Sequence, residues 1–330
     1  MNTTQRYFYL KLFILGIVIL LSVKAIAQQP AQYSLYMLNN YGTNPAAAGF
    51  SPSLLINAGY RTQWVGIAGN PTTQYLNATL PLNIISSGVG FAFENENIGA
   101  RSGFSGKLSF NKISKLGNGQ LSVGISAGVI QGVIDGSQLR TPDGDYTQGI
   151  IDHKDNLLSG ASINGIAPTI AAGIFYKSDK FEIGVAAHNL SETPLKLVGQ
   201  ANVNVSLKRY YVFTAAGDAF SFKDIVIRPS ILIKTDAVQT QADFSVLFNY
   251  LDNIFLGASF RGYTKNAQDA LIGMLGIKLS GQIKVAYAYD YTLSGLNAAS
   301  QGSHEVVLQY NLGKPIGKGK LPPIIYNPRF

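Results

Sequence analysis

The chain of 330 residues is 46% hydrophobic but only 13% charged, and it is rich in glycine (35), tyrosine (18) and phenylalanine (17). Soluble domains carry about a quarter charged residues, yet beyond residue 27 no apolar run approaches the roughly 20 residues of a membrane-spanning helix. The formal charge of +8 is scattered, with no basic helix and no nucleic-acid motif, and the lack of cysteine argues against a disulfide framework or a lipidated anchor.

In chain order, the first element reads as an export signal. Arg6 and Lys11 precede an apolar run from Leu12 to Val23, and Ala25-Ile26-Ala27 has the small-x-small form of a cleavage site. Residues 1–27 are therefore expected to be removed as a signal peptide, and residues 28–52 to form a periplasmic segment leading into the fold.

From residue 53 onward the dominant signal has a period of two, which marks half-buried strands. Fourteen runs carry it: 53–62, 72–83, 87–95, 103–112, 119–133, 167–177, 180–189, 202–218, 224–235, 239–251, 253–264, 268–280, 281–293 and 303–312. In the thirteenth, Val285, Tyr287, Tyr289 and Tyr291 oppose Lys284, Ala286, Ala288 and Asp290. In the fourteenth, Val306, Leu308, Tyr310 and Leu312 oppose Glu305, Val307, Gln309 and Asn311. Most runs are near the 9–11 residues of a tilted membrane strand. Connections after even-numbered runs are short and those after odd-numbered runs tend to be longer, including 63–71, 96–102, 134–166, 190–201 and 294–302, with 236–238 and 265–267 as short exceptions. Short periplasmic turns and long outer loops belong to outer-membrane barrels. The expected fold is all-β: a transmembrane antiparallel up-and-down β-barrel of about 14 strands (12–16) over residues 53–312, with periplasmic N- and C-terminal extensions. Residues 313–330, rich in Pro, Gly and Lys, form the expected periplasmic tail.

Chemistry-bearing patterns are few. Thr141-Pro142-Asp143-Gly144-Asp145 has the look of a calcium loop but lacks the full ligand spacing and the closing Glu, so it reads as a solvated loop. His188, beside Asn189, would suit a Ser-His-Asn lipid hydrolase, but no serine is marked as its partner, and a histidine lining a polar lumen is the simpler reading. No phosphate loop, dinucleotide fingerprint or metal-ligand spacing is present, and no cofactor is expected. Tyr60, Trp64, Tyr75, Tyr210, Tyr211, Tyr250, Tyr263 and Tyr291 lie near run ends and are expected in interfacial aromatic girdles.

Three stretches resemble the PorP/SprF family, outer-membrane components of the Bacteroidetes type IX secretion system and gliding machinery. They are Gln32-Tyr33-Ser34-Leu35-Tyr36-Met37 with Asn44-Pro45-Ala46-Ala47-Ala48-Gly49; Tyr60-Arg61-Thr62-Gln63-Trp64 with Gly66 and Asn70-Pro71; and a C-terminal set. That set contains Arg228-Pro229-Ser230, Gln241-Ala242-Asp243-Phe244, Leu256 to Arg261, Tyr287-Ala288-Tyr289-Asp290 and Ser303-His304-Glu305. Ala48 and Ala288 depart from the family's usual residues, as does the ending Tyr326-Asn327-Pro328-Arg329-Phe330.

The resemblance implies a non-enzymatic barrel that docks or anchors a secreted, adhesin-like surface protein or periplasmic machinery subunits. Its expected partners are outer-membrane lipid, a type IX substrate and secretion-system subunits. The motif positions singled out, for partner contact or local structure, are Asn44, Pro45, Gly49, Tyr60, Arg61, Trp64, Pro71, Tyr289, Asp290 and His304. Asn-Pro by itself favours a turn and needs no partner. The rival class is a small-solute porin, whose lumen would be wide and lined by charges. The faces opposite the apolar ones instead carry many Gly, Ala and Ser, which points to a close-packed or plugged interior.

Overall fold

The computed structural model describes residues 31–147, 151–155, 160–198, 203–264 and 267–314. The expected signal peptide and nearly all of the expected tail lie outside these residues.

Fourteen antiparallel strands close into one barrel. They are β1 (Leu55–Thr62), β2 (Thr72–Leu82), β3 (Ser87–Ile98), β4 (Arg101–Leu116), β5 (Gly119–Asp135), β6 (Ser162–Lys177) and β7 (Phe181–His188). The second half comprises β8 (Tyr210–Gly217), β9 (Ile225–Thr235), β10 (Thr240–Tyr250), β11 (Ile254–Gly262), β12 (Gln268–Lys278), β13 (Ile283–Thr292) and β14 (Ser303–Asn311). Each strand pairs with its sequence neighbours, and β1 pairs with β14 from Leu55↔Asn311 to Thr62↔His304, so no edge is left open.

The period of two sets an inside-out distribution. Leu108 and Ile125 are 68% and 62% exposed on the outer surface, whereas Asn57, Arg61, Asn111 and Glu305 are at most 1% exposed on the inner one. Water would penalise such an exterior, and a hydrocarbon phase rewards it. Among the described residues no helix is long and apolar enough to cross a membrane; the strands, with every backbone ladder closed, can do so.

Tight connections at Asn83–Ser86, Gly117–Asn118, Ser178–Lys180, Leu251–Asn253 and Leu279–Gln282 share one end with the approach to β1 at Leu54. The other end carries the described parts of the segments 63–71, 136–161, 189–209 and 293–302. The first is the periplasmic end by the length rule, and the second the outer one.

Three boundaries differ from the sequence expectation. The 96–102 loop shrinks to Gly99–Ala100, because Ile98 pairs with Arg101 and Gly99 takes φ +55°. β6 starts at Ser162, since β5 runs on to Asp135 and pairs with it. The run 202–218 splits: Val203–Ser206 pairs with Pro194–Leu197 in a separate hairpin, and the barrel strand begins only at Tyr210. This hairpin folds into the outer mouth, burying Leu195 and Leu197 against Ile130, Ile134, Ile163 and Ala167.

The segment expected on the periplasmic side, residues 28–52, differs most. Its described part, from Ala31 on, lies inside the barrel. Gln32 meets Gln63 and Arg261 near the outer rim, Leu38 accepts a hydrogen bond from Gln309 lower down, and Ser53 meets Asn311 at the periplasmic end. The segment thus crosses the lumen from outer mouth to periplasmic end before entering β1.

Inward-facing glycines receive it. A Cβ at Gly88 would stand 2.5 Å from the Ala48 carbonyl oxygen, and one at Gly124 2.7 Å from the Ala46 Cα. Gly49, at φ +73°, meets Gly88 equally closely. Introducing Gly88→Val or Gly124→Val should therefore cost about 1–3 kcal/mol through overpacking, while Gly273→Val, with open space on the outer wall, should cost nothing measurable. Unfolding temperatures of the purified barrels in one detergent check this; equal values for all three would contradict the close packing of the segment.

Candidate functional site

The lumen segment is built from short turns fixed by asparagines. The Asn39 side chain accepts from Gly42 N–H (3.1 Å) and caps the single helical turn Asn40–Thr43. Asn44 Oδ1 accepts from Ala46 N–H (2.9 Å) and caps Pro45–Ala47, with Pro45 at the first position, where its missing N–H is harmless. The Asn44 Nδ2 donates to the carbonyls of Ile174 (2.9 Å) and Val185 (3.2 Å), tying the turn to β6 and β7. Asn111 Nδ2 donates to the carbonyls of Ala46 (2.8 Å) and Ala48 (2.9 Å). The Asn-Pro motif therefore fixes the base of a plug.

Above that base an apolar sector holds the plug. Leu35, Tyr36 and Met37 are buried with Val212, Leu232, Leu247, Phe255, Ile272, Met274 and Val307 on the inner wall. Each such side chain contributes about 1.5–3 kcal/mol on burial. The Tyr36 hydroxyl lies 3.1 Å from Ser230 Oγ and 3.2 Å from Ser245 Oγ, and Tyr41 accepts from Ser109 (2.9 Å).

Near the outer end a charged cluster clamps the segment at Ser34. Arg61 reaches Asp290 at 2.7 Å and Glu305 at 3.3 Å; Arg261 reaches Asp243 at 2.7 Å and Asp290 at 3.0 Å. All five of these side chains are at most 2% exposed. The Ser34 hydroxyl donates to Asp290 (2.7 Å) and accepts from both guanidinium groups (2.9 and 3.0 Å), while its N–H donates to Glu305 (2.6 Å). Four strands, β1, β11, β13 and β14, thus meet at one residue of the plug, and β10 joins them through the Asp243–Arg261 pair.

Of the singled-out positions, the structure brings Arg61 and Asp290 together and puts Asn44, Pro45 and Gly49 in the plug base. Tyr60 is on the outer wall, 46% exposed. Tyr289 and His304 share that wall with their rings 5.2 Å apart, and His304 Nδ1 lies 2.7 Å from the Tyr287 hydroxyl. Trp64 and Pro71 belong to the first outer loop, where the Trp64 N–H donates to Ser303 (3.1 Å) and the Pro71 carbonyl accepts from Gln63 N–H (2.8 Å). Ser34, Asp243, Arg261 and Glu305 were not singled out. Their signal was present: three are charged residues on the inward phase of their strands.

Two expected girdle aromatics face inward. Tyr75 is 6% exposed and packs edge-on against Tyr33, and Tyr210 stacks on His188 at 4.7 Å. His188 lines the lumen with Nε2 2.9 Å from the Thr43 carbonyl, so Nε2 carries the proton. Among the described residues no group of His, Asp and Glu could hold a metal ion, and the Asp145 loop closes on itself through a bridge to Asp152.

The fold and its filled interior define the class: an outer-membrane β-barrel with an internal N-terminal plug. The chain belongs to the PorP/SprF family; the family described as "Type IX secretion system membrane protein PorP/SprF" matches residues 25–310. No curated protein matches it. Similar solved structures include the Pseudomonas putida toluene transporter TodX (9% identity, 84% of this chain and 94% of that one, TM-score 0.48). Others are Omp33 of Acinetobacter baumannii (10%, 80% and 99%, TM-score 0.44) and a Pseudomonas aeruginosa FadL homologue (12%, 81% and 92%, TM-score 0.44).

The clamp gives a quantitative expectation. Arg61→Met leaves Asp290 and Glu305 buried beside one guanidinium fewer and should destabilise by about 3–5 kcal/mol. Arg209→Ala breaks the exposed Arg209–Glu192 pair and should cost at most about 1 kcal/mol. Equilibrium urea unfolding in lipid vesicles checks both; equal small losses would mean that the clamp contributes nothing to the fold.

Proposed function

We propose that the protein is a non-conducting, non-enzymatic barrel of the type IX secretion system that docks or anchors a secreted, adhesin-like surface protein or periplasmic subunits of the machinery. It is exported by a cleaved signal peptide at residues 1–27. One observation carries this reading: the lumen is occupied along its length by residues 31–53 and covered at its mouth by the 194–206 hairpin. A solute channel needs a hydrated path, and here part of the inner wall is apolar and closed by Leu35, Tyr36 and Met37. The filled lumen therefore favours docking over the rival reading of a small-solute porin. The His188 contact to the Thr43 carbonyl inside the lumen supports a structural role for this histidine.

A barrel that transports nothing can act through its surfaces, and the outer loops offer the most accessible backbone. The test is an affinity pull-down of the tagged protein from detergent-solubilised outer membranes, read by mass spectrometry. Recovery of a large secreted surface protein or of secretion-system subunits, above the level seen with an unrelated tagged barrel, is expected. A preparation with no enriched partner would contradict docking.

A further inference from the structure

Between the plug and the inner wall of β3 and β4 lies a polar space of about 50 Å³, lined by Tyr33, Gly42, Ala92, Glu94, Lys107 and His188. A second space, of about 70 Å³, shares Tyr33, Gly42, Glu94, Lys107 and His188 with it. A third, of about 110 Å³, shares Glu94 and Lys107 and reaches Arg101 and Lys208, both half-buried at the outer end. Glu94 and Lys107 thus stand where all three spaces meet. Towards the periplasm the plug base closes the way, with Ala46 and Ala48 packed on Gly124 and Gly88. Access is therefore from the outer side.

The register explains the charge pair. Glu94 stands opposite Ser105 and Lys107 opposite Ala92, so the two are diagonal neighbours on the inward face of adjacent strands. Among the described residues they form no ion pair with each other. Glu94 accepts a hydrogen bond from the Tyr33 hydroxyl of the plug, and Lys107 Nζ has no hydrogen bond among the described residues. A third group borders the first two spaces. His188 is 6% exposed and gives its Nε2 proton to the Thr43 carbonyl, so Nδ1 is an acceptor, and Nδ1 has no hydrogen-bond partner. A buried acceptor and an ammonium group on one space both call for a partner.

We propose that Glu94, Lys107 and His188 form a seat for a small zwitterion, an α-amino acid with a short side chain. Its carboxylate accepts from Lys107 Nζ, and its ammonium group donates to the Glu94 carboxylate and to His188 Nδ1. A simple anion fits less well, because it leaves His188 Nδ1 without a donor and faces Glu94. A simple cation fits less well, because it faces Lys107. The spaces admit a few heavy atoms and exclude a long side chain. Glu96 and Arg101 present both signs of charge on the outer space as well. Tyr33 and Gly42 belong to the plug, so a bound zwitterion bridges the plug to β3, β4 and β7. This site goes beyond docking and does not depend on it.

The test is equilibrium dialysis of the full-length protein, in a nonionic detergent, against radiolabelled alanine. Unlabelled propionate and ethylammonium, which each keep one of alanine's two charges, serve as competitors. Alanine should bind saturably, one per barrel, and each competitor should displace it at least about tenfold less well than unlabelled alanine does. Lys107→Met, shown to fold by the heat-dependent gel shift of the barrel, should lower the affinity at least about tenfold. Lys115→Met, on the exposed periplasmic end of β4, should leave it unchanged. No saturable binding would mean that the spaces hold water only and would overturn the seat. Competition by propionate or ethylammonium equal to that by alanine would overturn its zwitterionic character. Unchanged binding by Lys107→Met would overturn its location. Should Lys107→Met not fold, Glu94→Gln takes its place with the same expected loss, and unchanged binding there would overturn the location equally.

Discussion

A closed barrel of fourteen strands encloses more room than its own inward side chains can fill; eight strands suffice for a filled interior, and sixteen leave an aqueous channel. What occupies that room governs everything else here. The inner wall carries Leu232, Leu247, Phe255, Ile272 and Met274 in one sector. Left against water, these side chains would lose most of the burial that residues 35–37 give them. The wall and the plug are thus complementary, and neither satisfies its physical chemistry without the other.

Two opposite devices hold the plug. At its periplasmic half, inward glycines let backbone approach backbone, and asparagines 44 and 111 meet the carbonyls that such close approach would otherwise strand. At its outer half, a buried ion cluster closes around Ser34. Ion pairs of this kind gain little over an apolar replacement, but removing one partner is expensive. Such a cluster serves position more than stability: it accepts a small hydroxyl and a backbone N–H at one place and penalises any shift. The 194–206 hairpin adds an independent apolar cover over the mouth.

Much of this was legible from residue order. The period of two gave all fourteen strands and the phase of each wall, because a side chain on a strand has only two directions to choose from. The same phase places Tyr75 with Thr73, Asn77 and Thr79 on the inner wall, against its expected girdle position. It also marks Asp243, Arg261 and Glu305 as inward charges, although the motif reading chose only Arg61 and Asp290 from that cluster. A filled interior was expected from the Gly, Ala and Ser of the inward faces, but the segment that fills it could not be read. Residues 31–53 have no period, and Ser34 binds Asp290 across 256 positions of sequence, a distance over which local pattern carries no information. The hairpin misread as part of β8 failed for a related reason: alternation shows that Val203–Ser206 is a strand, but not that its partner is Pro194–Leu197.

The central claim is that the lumen is closed by the chain's own N-terminal segment. Its most direct test is the electrical conductance of the purified protein in a planar bilayer, alongside a variant lacking residues 33–49 whose barrel is shown to fold. The intact protein should pass no steady current, and the shortened one should show discrete open steps. Steady conductance of the intact protein, equal to that of the shortened one, would contradict the claim.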